Sequence, residues 1–313
     1  VISDKEDNLK FSSRVRVSFS LAKELDNGLS AGGSIRADNA GGGASGTGGN
    51  IYLSGPFGKL SMGDVDAGAK AAIGHVSGVG YVNQGDPSDI TYLRGATGEE
   101  PALQYALPKM GPVQVWASVG MAETEVLDKD GKPIPAGKYE FKDDSATGKT
   151  ALNKMKKEIS ADTISLGAKA DLTIADMGTA WIGGGYEATA KDGDDGHLVL
   201  GAGVEASGFT GKVVAGMQGR ATTKDAAGNN IDNDVEQFAV SAGYSAGLIG
   251  VTVFYTDDSK MGAKDSHAEA FGAGFEWSLG GGAALKGGVT NWPEKTKGAG
   301  DRQTADLGVT FSF

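Results

Sequence analysis

Apolar residues recur at every second position through run after run of this 313-residue chain. Each run is about eight to twelve residues long, the length at which a tilted strand crosses a bilayer. Between Arg14 and Leu21, Val15, Val17, Phe19 and Leu21 take one parity, and Arg14, Arg16, Ser18 and Ser20 the other. Ile164, Leu166, Ala168 and Ala170 oppose Thr163, Ser165 and Lys169; Val213, Ala215 and Met217 oppose Lys212 and Gln218. The chain ends the same way, with Leu307, Val309, Phe311 and Phe313 on one parity. A period of two describes strands with two chemically different faces. Repeated this often, it demands a sheet with one apolar side and one wet side.

The connections carry a second rhythm. Short turns fall near 22–28, 55–58, 108–112, 173–178, 206–209, 245–248 and 278–282. Longer polar stretches fall near 39–49, 64–101, 123–158, 191–196, 222–234, 257–266 and 291–302. Strict alternation of short and long is what an up-and-down barrel in an outer membrane requires, with tight turns at one rim and longer loops at the other. Greek-key sandwiches have no reason for it. These fourteen connections separate fifteen strands, from Leu9–Ala22 to Gln303–Phe313. Closed bacterial barrels normally have an even number. Asp4 to Asn8 reads as an external loop, so a strand should precede it, with Val1 and Ile2 as its tail. The expected fold is therefore all-β: one 16-stranded antiparallel transmembrane barrel over residues 1–313, with most of the first strand missing from this chain. Val1 to Lys5 carries no signal-peptide pattern, as in a mature or trimmed chain. A barrel of sixteen strands keeps an aqueous interior.

Composition narrows the alternatives. Glycine is abundant (52 residues) without the every-third-residue period of collagen, and no cysteine is present. That excludes disulfides, thiolate nucleophiles and cysteine metal sites. No run reaches the eighteen or so apolar residues of a membrane-spanning helix. With 29 basic against 40 acidic residues the net charge is −11, which argues against a nucleic-acid partner. In-strand glycines such as Gly183-Gly184-Gly185 beside Tyr186 fit strand curvature and packing against aromatics. Phe271, Trp277, Phe311 and Phe313 suit either interfacial girdles or packing between subunits.

The 64–101 connection is too long for a simple loop and too apolar for a solvated tail. It contains Asp64, Asp66, Asp86, Asp89, Glu99 and Glu100, only Lys70 and Arg94 as bases, and a small weakly apolar centre, 67–74. It is read as folded into the barrel as a constriction loop. Arg14, Arg16 and Arg36 share the inward parity of neighbouring strands. Arginines on one wall and carboxylates opposite would set a transverse field across a narrow water path. The plainer reading is that these arginines line a wide lumen. The 122–158 stretch reads as a solvated external loop.

Catalytic motifs are weak. Gly28–Gly32 and Gly243–Gly247 match G-x-S-x-G, but no helical pattern follows either. His75, His197 and His267 lack zinc-ligand spacing, Asn230-x-Asp232-x-Asp234 lacks the rest of a calcium loop, and Gly201-Ala202-Gly203 lacks the rest of a dinucleotide fingerprint. A barrel enzyme or a soluble Gly-rich β adhesin are the alternatives to a channel. The first needs a clustered Ser, His and acid, the second a fixed repeat.

Three blocks carry a family resemblance: Phe11-Ser12-Ser13-Arg14-Val15-Arg16, Gly55 to Asp64 (GPFGKLSMGD) and Asp306 to Phe313 (DLGVTFSF). In this order and spacing they resemble alphaproteobacterial general porins of the Rhodobacter type. The resemblance implies a non-enzymatic homotrimer in the Gram-negative outer membrane, among lipid and lipopolysaccharide, passing small hydrophilic solutes by diffusion. It implies that the third external loop narrows the pore. Arg14, Arg16 and Arg36 would form the eyelet's basic wall, and Asp64, Asp66, Asp86, Asp89, Glu99 and Glu100 its acidic loop. No cofactor is implied beyond a structural calcium that family members can bind, for which Asp64 and Asp66 are the candidate ligands. The 39–49 loop resembles the one that latches onto a neighbouring subunit, but is mostly Gly, Ala and Ser. In the family the two chain ends meet to close the barrel.

Overall fold

A computed structural model describes residues 2–3, 11, 13–38, 48–81, 88, 90, 92, 102–120, 124–127, 156–159, 163–189, 196–219, 223–224, 230–231, 234–260, 267–292 and 302–313. Its strands are β1 (Ile2–Ser3), β2 (Arg16–Glu24), β3 (Ser30–Asp38), β4 (Gly48–Gly55), β5 (Gly58–Gly63), β6 (Ala102–Ala106), β7 (Val113–Gly120), β8 (Thr124–Leu127), β9 (Lys156–Ile159) and β10 (Thr163–Ile174). Then follow β11 (Gly178–Thr189), β12 (Gly196–Ala206), β13 (Phe209–Gly219), β14 (Thr223–Lys224), β15 (Asn230–Ile231), β16 (Val235–Ala246), β17 (Ile249–Lys260), β18 (His267–Gly280), β19 (Ala283–Trp292) and β20 (Arg302–Phe311). One short helix, α1 (Gly68–Ile73), lies between β5 and β6.

One antiparallel sheet takes in fifteen of these strands plus the two-residue β1. Its order is β1-β20-β19-β18-β17-β16-β13-β12-β11-β10-β7-β6-β5-β4-β3-β2. Each strand pairs with its neighbour along the sheet, β8–β9 and β14–β15 standing aside as small separate ribbons. Such a meander needs only short connections at one end. Two-residue turns join β12 to β13 at Ser207-Gly208 and β18 leads to β19 through Gly281-Gly282. Ser207 and Gly208 both have positive φ (49° and 83°), the backbone that matches strand twist in a tight hairpin.

The expected strands are present, with two differences. The first long strand starts at Arg16, not Leu9, with Arg16 opposite Asp38, the last residue of β3. The stretches 123–158 and 222–234, expected as plain loops, carry the β8–β9 and β14–β15 ribbons. Ile2–Ser3 pairs with the last strand (Ile2 opposite Ala305, Ser3 opposite Thr304), so the chain's beginning and end do meet.

Register fixes which side chains share a face, because residues directly opposite each other point the same way. One face collects Phe19, Ile35, Ile51, Leu103, Leu166, Leu200, Val213, Val253, Phe275 and Leu307, all exposed. The other is polar and carries the helix. The sheet is thus dry-side-out, the reverse of a soluble sandwich, where such a patch marks a contact surface. A continuous apolar band matches lipid, whose core can satisfy no backbone groups outside a paired sheet.

Candidate functional site

The polar face is crossed by the segment that follows β5. Gly63 (φ +117°) lets the chain leave the strand, since a Cβ there would stand 2.4 Å from the Gly49 carbonyl oxygen. Asp64 N then donates to Gly49 O (2.8 Å), and α1 begins four residues later. No side chain of the segment caps the helix. Its free N–H groups donate to wall serines instead: Gly68 N to Ser118 Oγ at 2.9 Å and Ala69 N to Ser165 Oγ at 2.8 Å. Gly74, at φ +64°, ends the helix with its N–H on Lys70 O (2.7 Å).

Strand glycines make the close approach possible. A Cβ on Gly167 would meet Gly68 O at 2.1 Å, and one on Gly185 would meet Ala69 Cβ at 2.4 Å. Gly185, expected to serve curvature and aromatic packing, is therefore helix floor. Ala69, Ala72, Ile73 and Val76 close over Val199, Val214 and Ala239, with Trp116 and Trp181 at the margin. This is the chain's one buried apolar cluster among the described residues, and it lies between loop and wall. The segment then runs on. Ser77 N donates to Ser241 Oγ (3.0 Å), Val79 and Gly80 seat against Gly274 and Gly288, and Tyr81 N donates to Asp306 Oδ1 (3.0 Å). Eighteen residues, Asp64 to Tyr81, thereby reach from β4 and β5 to β20 on one face. Only a strongly curved sheet allows that.

Register places the expected basic residues. Arg36 lies opposite Ser18 and Gly48, and Arg16 opposite Asp38, so Arg16 and Arg36 share the helix-bearing face. Arg14 lies outside the ladder, in exposed irregular chain. Asp64 stands beside Arg36, not across from it: the Gly48 Cβ position lies 2.6 Å from Asp64 Oδ2 and 3.5 Å from Arg36 Cζ. The cause is its place at the loop's root, one residue past β5. Asp66 pairs with Lys70 (3.1 Å) and its carbonyl accepts from Gln104 Nε2 (2.7 Å). Asp86, Asp89, Glu99 and Glu100 lie outside the described residues.

Calcium takes six to eight oxygens. Asp66 is committed to Lys70 and Asp64 lies next to Arg36. Among the described residues no three of His, Cys, Asp or Glu converge as a metal site.

Two histidines far apart in sequence come together. His75 Nδ1 accepts from Ile90 N (3.0 Å), and Tyr92 packs edge-on against both His75 (5.6 Å) and His197 (6.0 Å). His197 Nδ1 lies 3.3 Å from Glu187 Oε2, both side chains fully buried. Burial, then the Lys70 and Lys212 charges, push the His75 pKa down to about 4. Both G-x-S-x-G matches sit at strand–turn junctions with no helix following.

A family model described as Gram-negative porin matches residues 3–299. The chain belongs to the Gram-negative porin family. It is 28% identical to a porin of Rhodobacter capsulatus over 317 residues, covering 98% of this chain and 95% of that one. In fold it is similar to a porin structure refined at 1.8 Å, with a TM-score of 0.70 at 24% identity over 100% of this chain and 96% of that one. Engineered variants of the Rh. blastica porin give a TM-score of 0.58 at 16% identity, covering 96% of this chain and 90% of theirs. This porin is thus a channel protein of the Gram-negative outer membrane, passing small solutes without chemistry. Sequence reading missed the wall serines Ser118 and Ser165, the aromatic Trp181 and the lysines Lys169 and Lys212, whose inward parity was visible without any sign of what they face.

Proposed function

We propose that this porin is a general-diffusion channel whose pore is narrowed by the 64–101 loop, in a closed sixteen-stranded barrel that assembles as a homotrimer. The observation that carries the reading is the Asp64–Tyr81 segment, fastened to β7 and β10 at one end and to β20 at the other across a polar face. A strap so placed divides the water path.

Closure follows from hydrogen-bond edges. The sheet ends at β2 on one side and at β1 on the other, where among the described residues Ile2 and Ser3 alone cover the outer edge of β20. An open edge in hydrocarbon costs several kcal/mol for each unsatisfied group. Closing the ring between β1 and β2 removes both edges. The trimer reading is supported by the short strands β2 to β6, whose outward Phe19, Leu21, Ile35 and Met62 are exposed. The longer strands β10 to β13 and β16 to β20 leave a taller apolar band for lipid and lipopolysaccharide.

Arg16 and Arg36, joined by Arg14, form the basic side of the eyelet, and the loop's carboxylates weigh against them. Arg14→Gln with Arg16→Gln should shift the reversal potential in a salt gradient towards cations, by raising the cation-to-anion permeability ratio severalfold. An unchanged reversal potential would remove these arginines from the constriction. Cross-linking of the detergent-solubilised protein should stop at three copies; a ladder ending at one contradicts the trimer.

A further inference from the structure

We infer that the wall beneath the loop holds a subsite for small zwitterionic solutes of the amino-acid type, built on Trp181, Lys212 and Glu205. The inference deepens the channel reading and rests on it. Register sets these residues on adjoining rungs of the polar face. Trp181 is opposite Gly203, Gly203 opposite Lys212, and Lys212 opposite Ser241; one rung on, Thr179 is opposite Glu205 and Glu205 opposite Thr210. With Ser77 of the loop, all of these but Gly203 line a half-open cavity of about 200 Å3, in which Thr179, Glu205 and Thr210 are exposed to the water path.

The floor is a flat ring. A Cβ on Gly203 would stand 2.3 Å from Trp181 Nε1, and one on Gly201 would stand 3.2 Å from its Cη2. Only glycines let the indole lie down on β12. Lys212 Nζ stands 5.3 Å from the ring centroid and Lys169 Nζ 5.9 Å. Lys169 is paired with Asp171 at 3.4 Å, and Asp171 also holds Lys109 at 3.0 Å. Lys212 differs. It is half-buried, and among the described residues it has no carboxylate within ion-pair distance; its partner is the indole. Glu205, across a diagonal from it, likewise has no ion pair among the described residues.

One cation and one carboxylate in the same small cavity, neither satisfying the other, call for a ligand carrying both charges. A solute carboxylate meets Lys212 and a solute ammonium meets Glu205. An apolar side chain lies on the indole, and the Thr179 and Thr210 hydroxyls complete the polar contacts. A simple anion there would also face Glu205, and a simple cation Lys212.

The test is block of ion current through the full-length protein in a planar bilayer, using L-phenylalanine, phenylacetate and phenethylamine at neutral pH. These share a ring and differ in charge. L-phenylalanine should reduce the current saturably, at a half-blocking concentration about tenfold below either analogue. Glu205→Gln should erase its advantage over phenylacetate, Lys212→Gln its advantage over phenethylamine, and Trp181→Leu should weaken block by all three. Channels that open normally yet block equally with the three probes, or unchanged in both charge variants, overturn the subsite and leave the channel standing. Failure to open before any probe is added contradicts the channel reading, and the subsite falls with it.

Discussion

His75 is a loop side chain whose ionisation the fold disfavours. Burial and the Lys70 and Lys212 charges favour its neutral form, with Asp66 pulling weakly the other way. Neutral Nδ1 is needed to accept from Ile90 N. A folded-state pKa of about 4 against 6.5 unfolded means the unfolded chain binds more protons between those values. The stabilisation is therefore complete above pH 6.5 and is lost as pH falls towards 4. Indole fluorescence should follow this, because Trp116 and Trp181 border the same cluster. The expected result is a transition with its midpoint near 4 that disappears in His75→Gln, which keeps an acceptor but does not titrate. A midpoint near 6.5, or one unchanged in the variant, would contradict the assignment.

Helix α1 is six residues long and has no cap of its own, so its place depends on the wall. Gly185→Val would drive a side chain into Ala69, and the strap should lift. Single-channel conductance should then rise, whereas the same substitution at the outward Gly184, where a Cβ meets Leu200 Cδ2 at 3.2 Å and Val199 O at 3.7 Å, should leave conductance unchanged. Equal conductance in both variants would mean the helix does not restrict flow. Ser118→Ala with Ser165→Ala removes two side-chain hydrogen bonds of about 1 kcal/mol each. More frequent current fluctuations are expected from it, with little change in global stability. Such contacts explain what could be read early and what could not. The long strands were legible because a period of two survives any context, and β13 or β17 announces its two faces directly. Ser118 and Ser165 were not, since an inward serine looks the same whether it faces water or a helix end. Gly167 and Gly185 were equally ambiguous, because a missing side chain does not say what fills its space. Arg14 was read as strand, whereas the strand begins two residues later, at Arg16 opposite Asp38, because a period of two carries no mark of where pairing starts.

Across the whole molecule the two faces should respond oppositely to charge. Leu200 lies mid-strand on the apolar face, and Thr252 on the polar one. Leu200→Arg should cost about 2–4 kcal/mol in urea unfolding from lipid vesicles, the cost of a cation near the bilayer midplane, while Thr252→Arg should cost less than about 1 kcal/mol. Similar costs at the two sites would contradict the inside-out arrangement. That arrangement gives the terminal strand its meaning too. Leu307, Val309 and Phe311 face lipid, while Asp306 on the other face holds Tyr81 of the strap. The same strand pairs with Ile2 and Ser3, fastens the loop and contributes to the outer wall. The central claim is a water-filled path through this wall, and single-channel recording in a planar bilayer tests it most directly. Purified protein should insert in events of three equal steps with an ohmic current–voltage relation. Protein that inserts into the membrane yet passes no current would contradict it.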